Sequence, residues 1–161
     1  CLGLLGLGRA LQRTDPATAL ELLEESAEVA ASVRNRWFQA FAHMYSAASH
    51  AVHSDPATAA AAFVEVVDGW DRLGDWSQQW LTLLYATLLL HRLGDLAEVV
   101  TLHHALVAAA KPAPFDADGL AALADAVGAE RFGAAARRGS GMDGPAAVAF
   151  VRGALRAHAV R

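Results

Sequence analysis

The sequence predicts an all-α protein: a solenoid of helical hairpins with a 40-residue period, closed by a C-terminal helical cap. The first observation behind this is a repeat. Thr14-Asp15-Pro16-Ala17-Thr18-Ala19 recurs as Ser54-Asp55-Pro56-Ala57-Thr58-Ala59, and Gly94-Asp95-Leu96-Ala97-Glu98 keeps the Asp and the Ala a further 40 residues along. In the same register Glu25 meets Glu65, Gln39 meets Gln79 and Tyr45 meets Tyr85. The second is local chemistry. Asp before Pro starts a helix, because the carboxylate accepts from free N–H groups and the proline presets φ at the first helical position. The third is periodicity: Phe63, Val66, Val67, Trp70 and Leu73 follow one another at the three-and-four spacing that marks one helix face.

Taken in order, the pattern gives helices near 1–13, 15–34, 36–53, 55–73, 75–93 and 95–110. Trp37, Phe41, Met44, Tyr45, Ala48 and Val52 form the stripe of the third, and Trp76, Trp80, Leu83, Leu84, Thr87 and Leu88 that of the fifth. Large aromatics gather at the start of the first helix of each pair, where neighbouring units are expected to stack. Arg34-Asn35-Arg36 and Gly74-Asp75 are short polar joints. Lys111-Pro112-Ala113-Pro114 then breaks the pattern, since neither proline suits a helix interior. Helices near 116–127, 129–138 and 144–159 follow, with a glycine-rich turn from Gly139 to Gly144 before the last.

Residues 1–110 are thus read as three hairpins and 111–161 as capping helices of the same domain. Cys1 aligns with Phe41 and Leu81, inside a helix, so the first helix reads as truncated and the chain as a fragment of something longer.

Bulk properties narrow the function. Hydrophobic residues make up 55% and charged residues 19%, below the usual ~25%, which suits closely packed helices. The formal charge of -4 argues against general affinity for nucleic acid, which needs a surplus of Lys and Arg. The longest apolar run, Leu81 to Leu90, is about half the ~20 residues of a membrane span. With one cysteine and no basic leader, the expected setting is the cytoplasm.

The tail carries a resemblance. Gly128-Ala129-Glu130-Arg131-Phe132, then Ala134-Ala135-Ala136 and a glycine-rich turn into Ala146-Ala147-Val148-Ala149, resembles the end of the tetratricopeptide-like helical-repeat region in large actinobacterial ATP-dependent regulators of the LuxR and AfsR types. The opening from Leu2 to Ala17 is similar to their hairpins. The resemblance implies a bacterial signal-transduction protein in which a nucleotide-binding domain precedes the repeats and a DNA-binding or other effector domain stands elsewhere. It implies that the repeats bind a protein partner or ligand and hold the ATPase in check. The period departs from the ~34 residues of the standard tetratricopeptide unit, so longer helices are expected.

No catalytic, cofactor or metal site is expected. Gly3-Leu4-Leu5-Gly6-Leu7-Gly8 has the wrong glycine order for a nucleotide loop and no preceding strand, so close helix packing is the better reading. His50 and His53 share a helix face and His103 and His104 point apart, but no third ligand completes a zinc site. His103 takes the repeat position of Leu23 and Phe63, which marks it as a packing residue. Cys1 reads as standing at an artificial terminus, no Gly-x-Ser-x-Gly elbow occurs, Ser140 sits in the glycine turn, and Glu24, Glu25 and Glu28 read as a solvated face.

Two surfaces remain. Six arginines, at 131, 137, 138, 152, 156 and 161, face two acids in the tail, which makes a DNA-binding module the rival reading; a self-association scaffold is another. The favoured surface is the inner face of the stack, which the first helix of each pair commonly lines. There Arg36, Gln39, His43, Ser46, Gln79 and Thr82 form the expected partner-binding groove for a protein, peptide or small molecule, with Gln39 and Gln79 as a ladder.

Overall fold

Most helices among the described residues begin where an Asp or Asn side chain takes up free N–H groups. The computed structural model describes residues 1–159. Arg161, counted above with the tail's arginines, lies outside the described residues. Within them stand nine helices and no strand: α1 Leu2–Leu11, α2 Pro16–Ser32, α3 Arg36–His53, α4 Pro56–Leu73, α5 Trp76–Leu93, α6 Leu96–Ala108, α7 Ala117–Val127, α8 Ala129–Ser140 and α9 Gly144–Ala159. No helix of the described residues is long and apolar enough to cross a membrane.

Asp15 accepts from the Thr18 N–H at 3.2 Å, and Asp55 from those of Ala57 and Thr58 at 3.0 Å. Bonds from the Thr58 hydroxyl and N–H hold the Asp55 carboxyl below its ordinary pKa. Asn35 caps α3 through the Phe38 N–H, and Asp75 caps α5 through Ser77 and Gln78. Asp95 departs from the pattern. It precedes α6 but makes no capping bond, because its carboxylate is turned to His158 of α9 at 2.5 Å. Gly74 and Gly94 end α4 and α5 at φ 68° and 85°, the left-handed conformation that costs glycine nothing. Arg34 makes the same turn after α2 at φ 55° without being glycine.

Consecutive helices from α1 to α6 pack as antiparallel neighbours across short joints, and α1, α3 and α5 also touch in series. Their shared core includes Leu23, Met44, Phe63, Leu83, Leu89 and Trp70, all 1% exposed or less. The aromatics at the helix starts are not the buried ones: Trp37 and Trp76 stay open, while Trp70, near the end of α4, is sealed against Phe41 in an edge-on contact at 5.2 Å. A residue at the first turn of a helix lies at the rim of the bundle, where solvent reaches it. One turn from the end of α4, Trp70 still lies under its neighbour.

The last three helices fold back on the others. α8 lies along α6 so closely that a Cβ at Gly139 would collide with the Thr101 carbonyl. This contact explains why Gly139 and Ser140 belong to α8 and not to the expected turn, which begins at Gly141. α9 lies against α4, α5 and α6. Its start meets the Trp76 ring and its end reaches Asp95, so it runs alongside α5 in the same direction. Arg152 fastens it to α4, with Nε 2.6 Å from Asp68 and Nη2 3.0 Å from Asp71.

Candidate functional site: a groove between the third and fourth helices

A groove of about 680 Å³ runs between α3 and α4. Its α3 wall is Arg36, Gln39, Ala40, His43, Ser46, Ala47 and His50, spaced three and four apart as one helix face requires. Its α4 wall is Ala62, Glu65, Val66, Gly69, Arg72 and Leu73. Because the helices are antiparallel, the start of α3 and the end of α4 share one end of the groove, which therefore holds both arginines. Alanines, Gly69 and Val66 leave the middle wide.

Two groups in the middle carry opposite tendencies. Desolvation by the walls lowers the His43 pKa below its ordinary 6.5, and the Glu65 carboxylate pulls it back only partly. His43 is therefore neutral at pH 7, able to donate from one ring nitrogen and accept at the other. Farther along, the His50 Nδ1 is 2.7 Å from the Ser54 hydroxyl. His53 turns the other way, to the Gln12 carbonyl at 3.1 Å, so the two histidines do not work as a pair.

Four of the six residues expected at the groove are there: Arg36, Gln39, His43 and Ser46. Gln79 and Thr82 are not. Gln79 is 2% exposed and donates to the Val67 carbonyl at 3.2 Å, and Thr82 is sealed with its hydroxyl on the Gln78 carbonyl at 2.9 Å. The Gln39–Gln79 ladder does not form, because α5 presents that face to other helices and not to solvent. Helical spacing alone does not reveal this. The α4 wall escaped the sequence reading, although Ala62, Glu65, Gly69 and Arg72 fall at helical spacing on a face with little bulk.

Forty residues on from six of the groove's lining residues, His43, Ser46, His50, Ala62, Glu65 and Val66, stand Leu83, Ala86, Leu90, Leu102, Ala105 and Leu106, each 1% exposed or less. α9 lies across this part of the molecule and α8 closes it from the side of α6. At these six places an open cleft with polar side chains on both walls between α3 and α4 gives way to a filled, apolar one between α5 and α6.

His103 is 3% exposed, and its ring stands 5.4 Å from that of His104 instead of pointing away. The two pack with Phe115 and Phe132, and burial lowers both pKa values, with His104 adding to the effect on His103. Among the described residues no cluster of three or more His, Cys, Asp or Glu is placed to hold a metal ion. In the tail, Arg152 and Arg156 face Asp68 and Asp71, and Arg138 lies over the Phe150 ring at 4.5 Å. No family model, curated protein or solved structure matches the chain.

Proposed function

We propose that this chain is a binding module, a stack of helical hairpins that holds a peptide, protein segment or small ligand in the α3–α4 groove and does no chemistry of its own. The observation that carries the reading is the contrast between two clefts 40 residues apart, one stopped with apolar side chains under α9 and the other open, with polar and charged side chains among small apolar ones. The helix starts support the stack: Pro16, Pro56 and Leu96 begin α2, α4 and α6, and Arg36 and Trp76 begin α3 and α5, at intervals of 40 residues. A volume of about 680 Å³ falls within the ~300–1,000 Å³ of ligand pockets. The likeness of the Gly128–Ala149 segment to the repeat regions of LuxR-type regulators carries the further proposal of a transcriptional regulator as the parent protein. In that setting the groove is where a signal reaches the protein.

Gly69 offers the test. It lines the groove, and a Cβ there would meet nothing within 4 Å, so Gly69→Trp plugs the cleft without disturbing the helix. A random peptide library panned on the intact chain is expected to yield binders that lose affinity for Gly69→Trp. Binders indifferent to the plug, or none at all, overturn the reading.

A further inference from the structure

The groove changes character at the end where α3 starts and α4 stops. Arg36 and Arg72 line it there, and neither belongs to an ion pair among the described residues. The helix dipole favours Arg72 in the last turn of α4, but it gives nothing to a cation at the start of α3. Helix stability therefore does not account for Arg36. Large apolar side chains adjoin the pair: Trp37 is 42% exposed, Leu73 37% and Trp76 40%. The Trp37 Nε1 donates to Asp75 at 3.0 Å, which brings the starts of α3 and α5 together at this end. Two carboxylates stand nearby, but both are engaged. Asp75 holds Trp37 and the first N–H groups of α5, and Asp71 holds Arg152.

What is left over is two guanidinium groups beside three exposed apolar side chains, on a chain whose net charge is -4. Apolar patches with a charged rim mark interaction surfaces, and Trp and Arg are the side chains that most often anchor them. Guanidinium groups also take carboxylates in two-point hydrogen bonds.

We infer that this end of the molecule docks an acidic peptide segment carrying a large apolar side chain. Its carboxylates meet Arg36 and Arg72, its apolar side chain rests on Trp37, Leu73 and Trp76, and the rest of it runs into the groove. Glu65, farther in, repels a carboxylate, so the acidic residues belong at the arginine end while small polar residues pass His43. The inference rests on the groove reading and adds the chemistry of the occupant.

The peptides recovered by panning decide it. They are expected to be enriched in Asp or Glu next to Leu, Phe or Trp. Their dissociation constants, measured by fluorescence anisotropy, are expected to rise roughly tenfold or more in an Arg36→Ala/Arg72→Ala variant and to weaken with added salt. Both arginines are exposed, so the variant keeps the wild-type circular dichroism and melting temperature. Peptides that Gly69→Trp blocks, but that lack acidic residues or bind the double variant unchanged, overturn this inference and leave the groove reading standing. Peptides that Gly69→Trp does not block, or an empty selection, remove both.

Discussion

The α3–α4 and α5–α6 hairpins share joint length and start 40 residues apart, with α6 at 13 residues shorter than the 18 of α4, yet they solve opposite problems. In the second, Leu83, Ala86, Leu90, Leu102, Ala105 and Leu106 face inward, and α8 and α9 cover them. In the first, the same places hold His43, Ser46, His50, Ala62, Glu65 and Val66 around an open groove. The backbone frame of a hairpin therefore does not by itself decide whether its cleft is core or surface. Side chains at some half-dozen positions decide it, by making cover either worth about 25 cal/mol per Å² of apolar area or costly in unpaired polar groups.

Truncating the same place in both hairpins separates them most strongly. Leu83→Ala is expected to cost about 2–5 kcal/mol, as a buried leucine does, whereas His43→Ala should stay within about 0.5 kcal/mol. Urea unfolding of the two variants measures both values, and equal losses would erase the distinction. A smaller effect, about 1–3 kcal/mol, is expected from Gly139→Ala, because the new methyl group meets backbone that cannot yield and lifts α8 from α6. Hydrogen exchange should then quicken in α6 while leaving α2 unchanged.

The smallest effect is in pH. Burial holds the folded His103 and His104 below the ordinary 6.5, so on acidification the unfolded chain takes up protons first. Stability is therefore full above about 6.5 and declines as the pH falls from there towards the folded values. Melting curves from about pH 7.5 to about pH 5.5 should show the decline, and His103→Leu, which restores the residue type of Leu23, should shallow it. An unchanged slope in that variant would place its origin elsewhere.

Helix positions were legible in the sequence because caps are local. An Asp, its proline and the N–H groups two or three residues on lie within one turn, and α2 and α4 begin at Pro16 and Pro56, directly after the Asp15 and Asp55 that cap them. The α3 wall was legible for the same reason, since Arg36, Gln39, His43 and Ser46 fall on one stripe. The fate of Gln79 and Thr82 was not. Whether a stripe is covered depends on a helix far along the chain, and the bond that seats that helix joins Arg152 to Asp68 across 84 residues with no local signature. Asp95 misled in the same way: its sequence is that of a cap, but His158 competes for its carboxylate.

Thiol accessibility tests the central contrast most directly. With Cys1 replaced by Ser, His43→Cys and Leu83→Cys place a single thiol at equivalent points of the two hairpins. Under native conditions the thiol at position 43 is expected to react with a water-soluble disulfide reagent nearly as fast as in the unfolded chain. The thiol at position 83 should react only as fast as the protein opens, many times more slowly. Equal rates at the two positions, fast or slow, would contradict an open groove on one hairpin and a covered one on the other.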